Sequence, residues 1–279
     1  MAIFLALLSS ALWGGADFKG GQLTKKFPPI AVAGASQAIG LLFGVILVIV
    51  SGDFTPPNLN WSGYFLNGVI AGILGYIGLL SLYAGLATGR MGVVSPVSSL
   101  CALVPLAYSL LRGDRLSALQ GVAIAIACAG AFCASGPEFS QGISLRPLLL
   151  ALCAALGFGV ALIFMARGSQ SQVLLTMLSM RATTFAFSTL MFLKFRNFGG
   201  LSRRQLAPLI FIGVADFSAN LLLGFASTLG LLSIVMVLGS LFPLMVVFLA
   251  FVVLHERLYR IQYLGIFLAL LGVAIISSQ

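Results

Sequence analysis

Residues 114–130 read DRLSALQGVAIAIACAG, and residues 256–272 read ERLYRIQYLGIFLALLG. The two stretches align without a gap: Asp114-Arg115-Leu116 on Glu256-Arg257-Leu258, Gln120 on Gln262, and Gly130 on Gly272. A second match lies upstream at nearly the same offset, Ala11-Leu12 with Gly15 against Ala155-Leu156 with Gly159. Pro105 and Pro243 each interrupt the apolar run before the acidic motif. One shared tripeptide would mean nothing, but several residues held in register mean that the chain repeats itself once.

What repeats is a membrane-crossing unit. Of 279 residues, 60% are hydrophobic and 8% are charged, against about 25% charged in soluble domains. The chain lacks the polar side chains that would cover a water-facing surface of this size, so lipid must be its outer solvent. A span takes roughly 20 apolar residues, which leaves room for about ten spans and short connectors. Breaks at Gly, Pro and charge clusters predict helices over 2–22, 30–50, 63–87, 91–111, 116–135, 145–165, 173–195, 206–228, 231–253 and 260–277. The first has no basic residue before it and reads as a retained helix, not a cleaved leader. The expected fold is therefore an all-α integral membrane protein of ten helices in two five-helix repeats, residues 1–135 and 145–279. Five is odd, so the second repeat enters the membrane inverted relative to the first. Inverted repeats are the architecture of secondary transporters.

The net charge of +9 arises from scarce acids, and its bases are strung out singly or in pairs between apolar runs. That pattern is membrane topology and not a nucleic-acid surface. Lys25, Lys26, Arg90, Arg146, Lys194, Arg196, Arg203, Arg204, Arg257 and Arg260 fall on connectors of one face; Arg112, Arg115 and Arg167 fall on the other. The positive-inside rule makes the richer face cytoplasmic. With ten helices, both termini then lie outside.

Two five-helix repeats, each with a proline-interrupted helix, an E-R-L-type turn and a glycine-bearing last helix, resemble the EamA-type branch of the drug/metabolite transporter superfamily. Leu12-Trp13-Gly14 is similar to the opening of that family's repeat. The resemblance implies a ten-helix carrier of small metabolites or toxic amphiphiles in the cytoplasmic membrane, chiefly an exporter. Members are usually drawn with both termini in the cytoplasm, whereas the basic residues here place them outside.

Most intramembrane polar residues have packing roles. Gly40/Gly44, Gly68/Gly72 and Gly85/Gly89 are small-xxx-small spacings that bring helices together. Pro96, Pro105 and Pro243 free backbone carbonyls and kink their helices. Cys101, Cys128, Cys133 and Cys153 read as small buried apolar residues. His255 has no His or Cys near it, so no metal and no cofactor is expected. Asp114 and Glu256 read as anchors at helix ends.

Charge at mid-membrane is different, because it costs about 2.5–3.5 kcal/mol per residue on insertion scales. Arg181 lies deep in the seventh segment and Asp216 in the eighth, with Asn220 one turn further on the same face. Counted from their shared connector, the two charges differ in depth by roughly 6 Å at 1.5 Å per residue, a gap an Arg side chain spans. They are expected to pair, either as a structural ion pair or on the substrate path. Trp13, Gln37, Tyr76, Tyr83 and Ser98 complete the expected binding set from the first half, since a buried indole or amide must find a partner. Asp17 and Lys19 are expected at the interface, which leaves Asp216 as the mid-membrane acid.

These readings predict a secondary transporter working by alternating access on a small-molecule substrate, with the lipid bilayer as its surroundings. A non-transporting receptor or assembly subunit is the rival. An intramembrane enzyme is disfavoured, because no Ser and His meet at depth, and no ATP-binding P-loop is present. Nothing sets the oligomeric state, and a monomer is consistent with the sequence.

Overall fold

The computed structural model describes residues 1–88, 94, 97–134, 145–195, 200–255 and 258–278. Gly89, Arg90, Pro96, Arg196, Glu256, Arg257 and Gln279, which figure in the expectations above, lie outside the described residues.

Every regular element among the described residues is helical. The first half holds α1 (Ala2–Thr24), α2 (Pro29–Ser51), α3 (Tyr64–Thr88), a 3₁₀ turn (Leu100–Ala102) running into α4 (Leu103–Leu111), and α5 (Ala118–Ala134). The second holds α6 (Leu145–Ser169), α7 (Val173–Phe195), a 3₁₀ turn (Arg203–Gln205), α8 (Leu206–Leu229), α9 (Leu232–Gly239), α10 (Phe242–Leu254) and α11 (Arg260–Ser277). Seven stretches are long and apolar enough to cross a membrane, the seventh being α9 and α10 taken together as Leu232–Leu254. Three shorter apolar helices, Val97–Leu111, Ala118–Ala134 and Arg260–Ile276, stand where the sequence predicts the fourth, fifth and tenth segments.

α2 shows why these residues fold this way. Proline occupies its first turn, where the missing N–H costs nothing, and Gly52 ends it in the left-handed region at φ 71°. Apart from Val32, its buried stripe is small or polar: Ala33, Ser36, Gln37, Gly40 and Gly44. Its outward stripe is large and aliphatic: Leu42, Val45, Ile46, Ile49 and Val50. A water-soluble helix would place these two sets the other way round.

The small residues set the helix crossings. A Cβ on Gly213 would lie 2.4 Å from the Ser36 carbonyl, and one on Gly72 would lie 2.8 Å from the Met180 carbonyl. Thus α8 crosses α2, and α3 crosses α7, backbone against backbone.

The repeated motif resolves into three local jobs. Asp114 accepts hydrogen bonds from the Ser233 hydroxyl (3.0 Å) and amide (3.4 Å), tying the end of α4 to the start of α9. Gln120 and Gln262 each accept a hydrogen bond from the backbone amide three residues earlier, at 3.0 and 2.8 Å, and so satisfy an amide at the start of α5 and of α11. Gly130 and Gly272 sit where α5 and α11 cross, their missing side chains replaced by the Ala269 amide and the Ala123 carbonyl.

Helix packing follows the repeat. α3 packs on α6 as α8 packs on α1, and α3 on α7 as α8 on α2; α2 meets α7, and α5 meets α11. Gly14 lies against Phe242 and Met245 as Gly159 lies against Cys101 and Val104. By packing, Gly159 corresponds to Gly14, so the sequence match at Gly15 is one residue out of register. A helix that rotates about 100° per residue changes faces with such a slip. Cys101 is buried, but Cys153 is exposed on the outer face of α6, contrary to the expectation of four buried cysteines. A thiol is apolar enough to face lipid.

Candidate functional site

The segment expected to kink at Pro243 is broken outright. α9 stops at Gly239, Ser240 and Leu241 form a turn, and Pro243 opens α10 where a helix needs no N–H donor. In the other half the 3₁₀ turn at Leu100–Ala102 interrupts the equivalent segment. Both interruptions reach one interior cavity of about 90 Å³, through Ser240 and Cys101. The remaining walls come from α1, α2 and α3 of the first half and α6, α7 and α8 of the second.

Asp216 is the hub of the polar wall. Its Oδ1 accepts hydrogen bonds from the Trp13 indole (3.0 Å) and the Asn220 amide (3.2 Å). Its Oδ2 accepts one from the Gln37 amide (2.9 Å) and lies 2.9 Å from Arg181 Nη2. That last contact is an ion pair without hydrogen-bond alignment, since Nη2 has no hydrogen-bond partner. Arg181 Nη1 donates to Gln37 Oε1, which also accepts from Thr184 at 3.3 Å. The guanidinium, 5% exposed, stands 5.9 Å from the Phe217 ring centre, so an aromatic face meets the cation. Gly40 lies beside it, where a Cβ would make ordinary contact with Arg181 Cδ at 3.5 Å and press on the Gly213 carbonyl at 3.1 Å.

The geometry is that of a charge pair taken out of water and held by neutral donors. Each amide of the shell offsets part of the desolvation cost that makes an isolated buried ion unfavourable. Gln37 matters most locally, because its amide nitrogen faces the carboxylate and its oxygen the guanidinium.

Of the eight residues expected from the sequence, Trp13, Gln37, Tyr76, Arg181, Asp216 and Asn220 line the cavity. Tyr76 faces it with its hydroxyl 2.6 Å from that of Ser188. Tyr83 and Ser98 are buried, at 1% and 0% exposed, but not in its wall. Tyr83 is wedged against Gly20, where any Cβ would lie 2.3 Å from its hydroxyl.

Among the polar wall residues, Thr184, Ser240 and Asp17 escaped the sequence reading. Thr184 is three residues beyond Arg181 on the same helix face, and a helical-wheel count would have found it. Asp17 was assigned to the interface with Lys19, but it lines the cavity one turn after Trp13. Its spacing from Trp13 was the signal; depth counted from the nearest lysines was the misleading one. Asp216 is therefore not the single acid at this depth.

No group of three or more His, Cys, Asp or Glu able to hold a metal ion occurs among the described residues. No curated protein matches the chain. A solved structure titled only "Crystal structure of protein" is similar in fold, with a TM-score of 0.78 and 17% identity, over 99% of this chain and 96% of that one. The sequence profile of the EamA-like transporter family matches residues 1–136 and again 145–278. This multi-pass membrane protein, two repeats around one cavity with a polar wall patch, belongs to the EamA-like transporter family.

Proposed function

We propose that the protein is a ten-span secondary transporter whose two inverted halves move a small organic solute across the cytoplasmic membrane by alternating access. A metabolite, an amino acid or a drug-like amphiphile fits this reading, and export is the direction favoured by the family resemblance. The observation that carries it is the Arg181–Asp216 pair, held with its neutral donors in the wall of a cavity lined by both halves. Any motion of one half against the other must alter access to such a cavity.

Two further features support the reading. The packing pairs come in matched sets, as a twofold relation between the halves would generate, and an odd number of spans per half would put that axis in the membrane plane. The break between α9 and α10 reaches the cavity, where non-helical backbone is tolerated because it is shielded from lipid. A cavity of about 90 Å³ has room for several waters or a small solute in their place. Trp13, Gln37, Tyr76, Arg181, Asp216 and Asn220 are the proposed binding residues.

The test is flux in proteoliposomes. Amino acids, nucleobases and cationic drugs, with and without an imposed pH gradient, should include at least one saturable substrate. Asp216→Asn, checked for folding by its thermal melt, should cut that flux at least about tenfold, the loss expected for a hydrogen bond to a charged group. Folded protein that moves none of them would favour the receptor or assembly-subunit role.

A further inference from the structure

The cavity wall holds more acids than bases: two carboxyl groups, Asp17 and Asp216, and one guanidinium, Arg181. Asp216 takes the guanidinium and three neutral donors. Among the described residues Asp17 has no hydrogen bond and no ion pair, although it sits in the same wall. Its neighbour Lys19 points elsewhere, donating to Gln22 at 3.2 Å with its ammonium 6.0 Å from the Phe18 ring centre. A carboxylate can accept about four hydrogen bonds, and no described residue takes up any of Asp17's capacity in the cavity wall.

We infer that Asp17 is a cation-recognising subsite, and that the transported solute carries a protonated amine which the Asp17 carboxylate receives. This rests on the transport reading and narrows its substrate class. An ammonium there would bring the wall to neutrality and satisfy acceptors that nothing else reaches. The surfaces around Asp17 suit the same group. Trp13 lies one turn away, and Tyr76 and Phe158 add aromatic faces to a mostly apolar wall. Such faces attract ammonium ions and the hydrocarbon attached to them. A carboxylate-only solute would meet an uncompensated acid instead, and Arg181 is already committed to Asp216 and Gln37.

The test uses the full chain in nanodiscs and matched probes that differ only in head group: butylamine, butanol and butyrate, then phenethylamine, phenylethanol and phenylacetate. Binding is read by calorimetry, and flux of the same six compounds is read in proteoliposomes. The amines should bind best. Asp17→Asn should weaken them roughly ten- to hundredfold, the loss of one charge-assisted hydrogen bond, while leaving the alcohols unchanged. Asp17→Glu should recover part of the amine affinity, which separates recognition from a folding defect. An Asp17 that merely holds a proton would leave amine and alcohol equal in both proteins, and that result would overturn the inference. So would a preference for the carboxylates, amine affinity intact in Asp17→Asn, or no amine binding at all. Flux confined to alcohols or carboxylates would sink Asp17 recognition but keep transport; amine binding without flux would do the reverse.

Discussion

At the scale of single residues, the question is whether Arg181 and Asp216 hold the fold or the solute. Removing one partner leaves the other charge buried and unpaired, which costs about 3–5 kcal/mol in buried pairs. Arg181→Ala and Asp216→Ala are each expected to destabilise by that order in mixed-micelle unfolding. The double substitution should cost less than their sum by about 1–3 kcal/mol, because the second change removes a charge that the first has stranded. Additive effects would mean that the 2.9 Å contact does not couple them. The same pair can still meet the solute, since both residues line the cavity. Stability and flux measured on the same variants separate the two roles.

At the scale of helices, glycines decide which faces meet. Gly130 and Gly121 lie on the same helix, α5, but in opposite circumstances. A Cβ on Gly130 would stand 2.3 Å from the Ala269 amide nitrogen, which is backbone and cannot turn aside, whereas a Cβ on Gly121 meets nothing within 4 Å. Gly130→Ala must push α11 off α5 and should cost about 1–3 kcal/mol, the usual penalty of overpacking. Gly121→Ala should be neutral or slightly stabilising, since alanine is the better helix former by up to about 1 kcal/mol. Thermal melts of the two variants in the same detergent compare them directly. Equal melts would mean that the α5–α11 crossing yields more easily than its geometry implies.

For the whole molecule, the orientation prediction comes from the charges. Lys25, Lys26, Arg203 and Arg204 flank helix ends on one face, and Arg112, Arg115 and Arg167 on the other. On the proposed ten-span topology, with the richer face in the cytoplasm, a cysteine introduced at Ser278 in a chain stripped of its native cysteines should react with an impermeant maleimide from outside intact cells. Labelling only after the cytoplasm is opened would reverse the assignment and agree with the usual drawing of the family.

The sequence by itself determined the solvent, the helices and the duplication. Those follow from quantities that add along the chain: hydropathy over 20 residues, proline and glycine punctuation, and a motif held in register. It also determined that Arg181 and Asp216 would pair, because depth along a helix is a local count and two buried charges have few alternatives. Only the tertiary structure decided what surrounds them. That Gln37 bridges both charges, that Tyr83 turns away from the cavity while Asp17 turns into it, and that Gly159 packs as Gly14 does all depend on helix rotation. A span can turn about its axis without altering its hydropathy, its length or its depth in the membrane. Rotation is fixed by the glycine contacts between distant helices, such as Gly213 on Ser36 and Gly72 on Met180. No count along one segment contains that information.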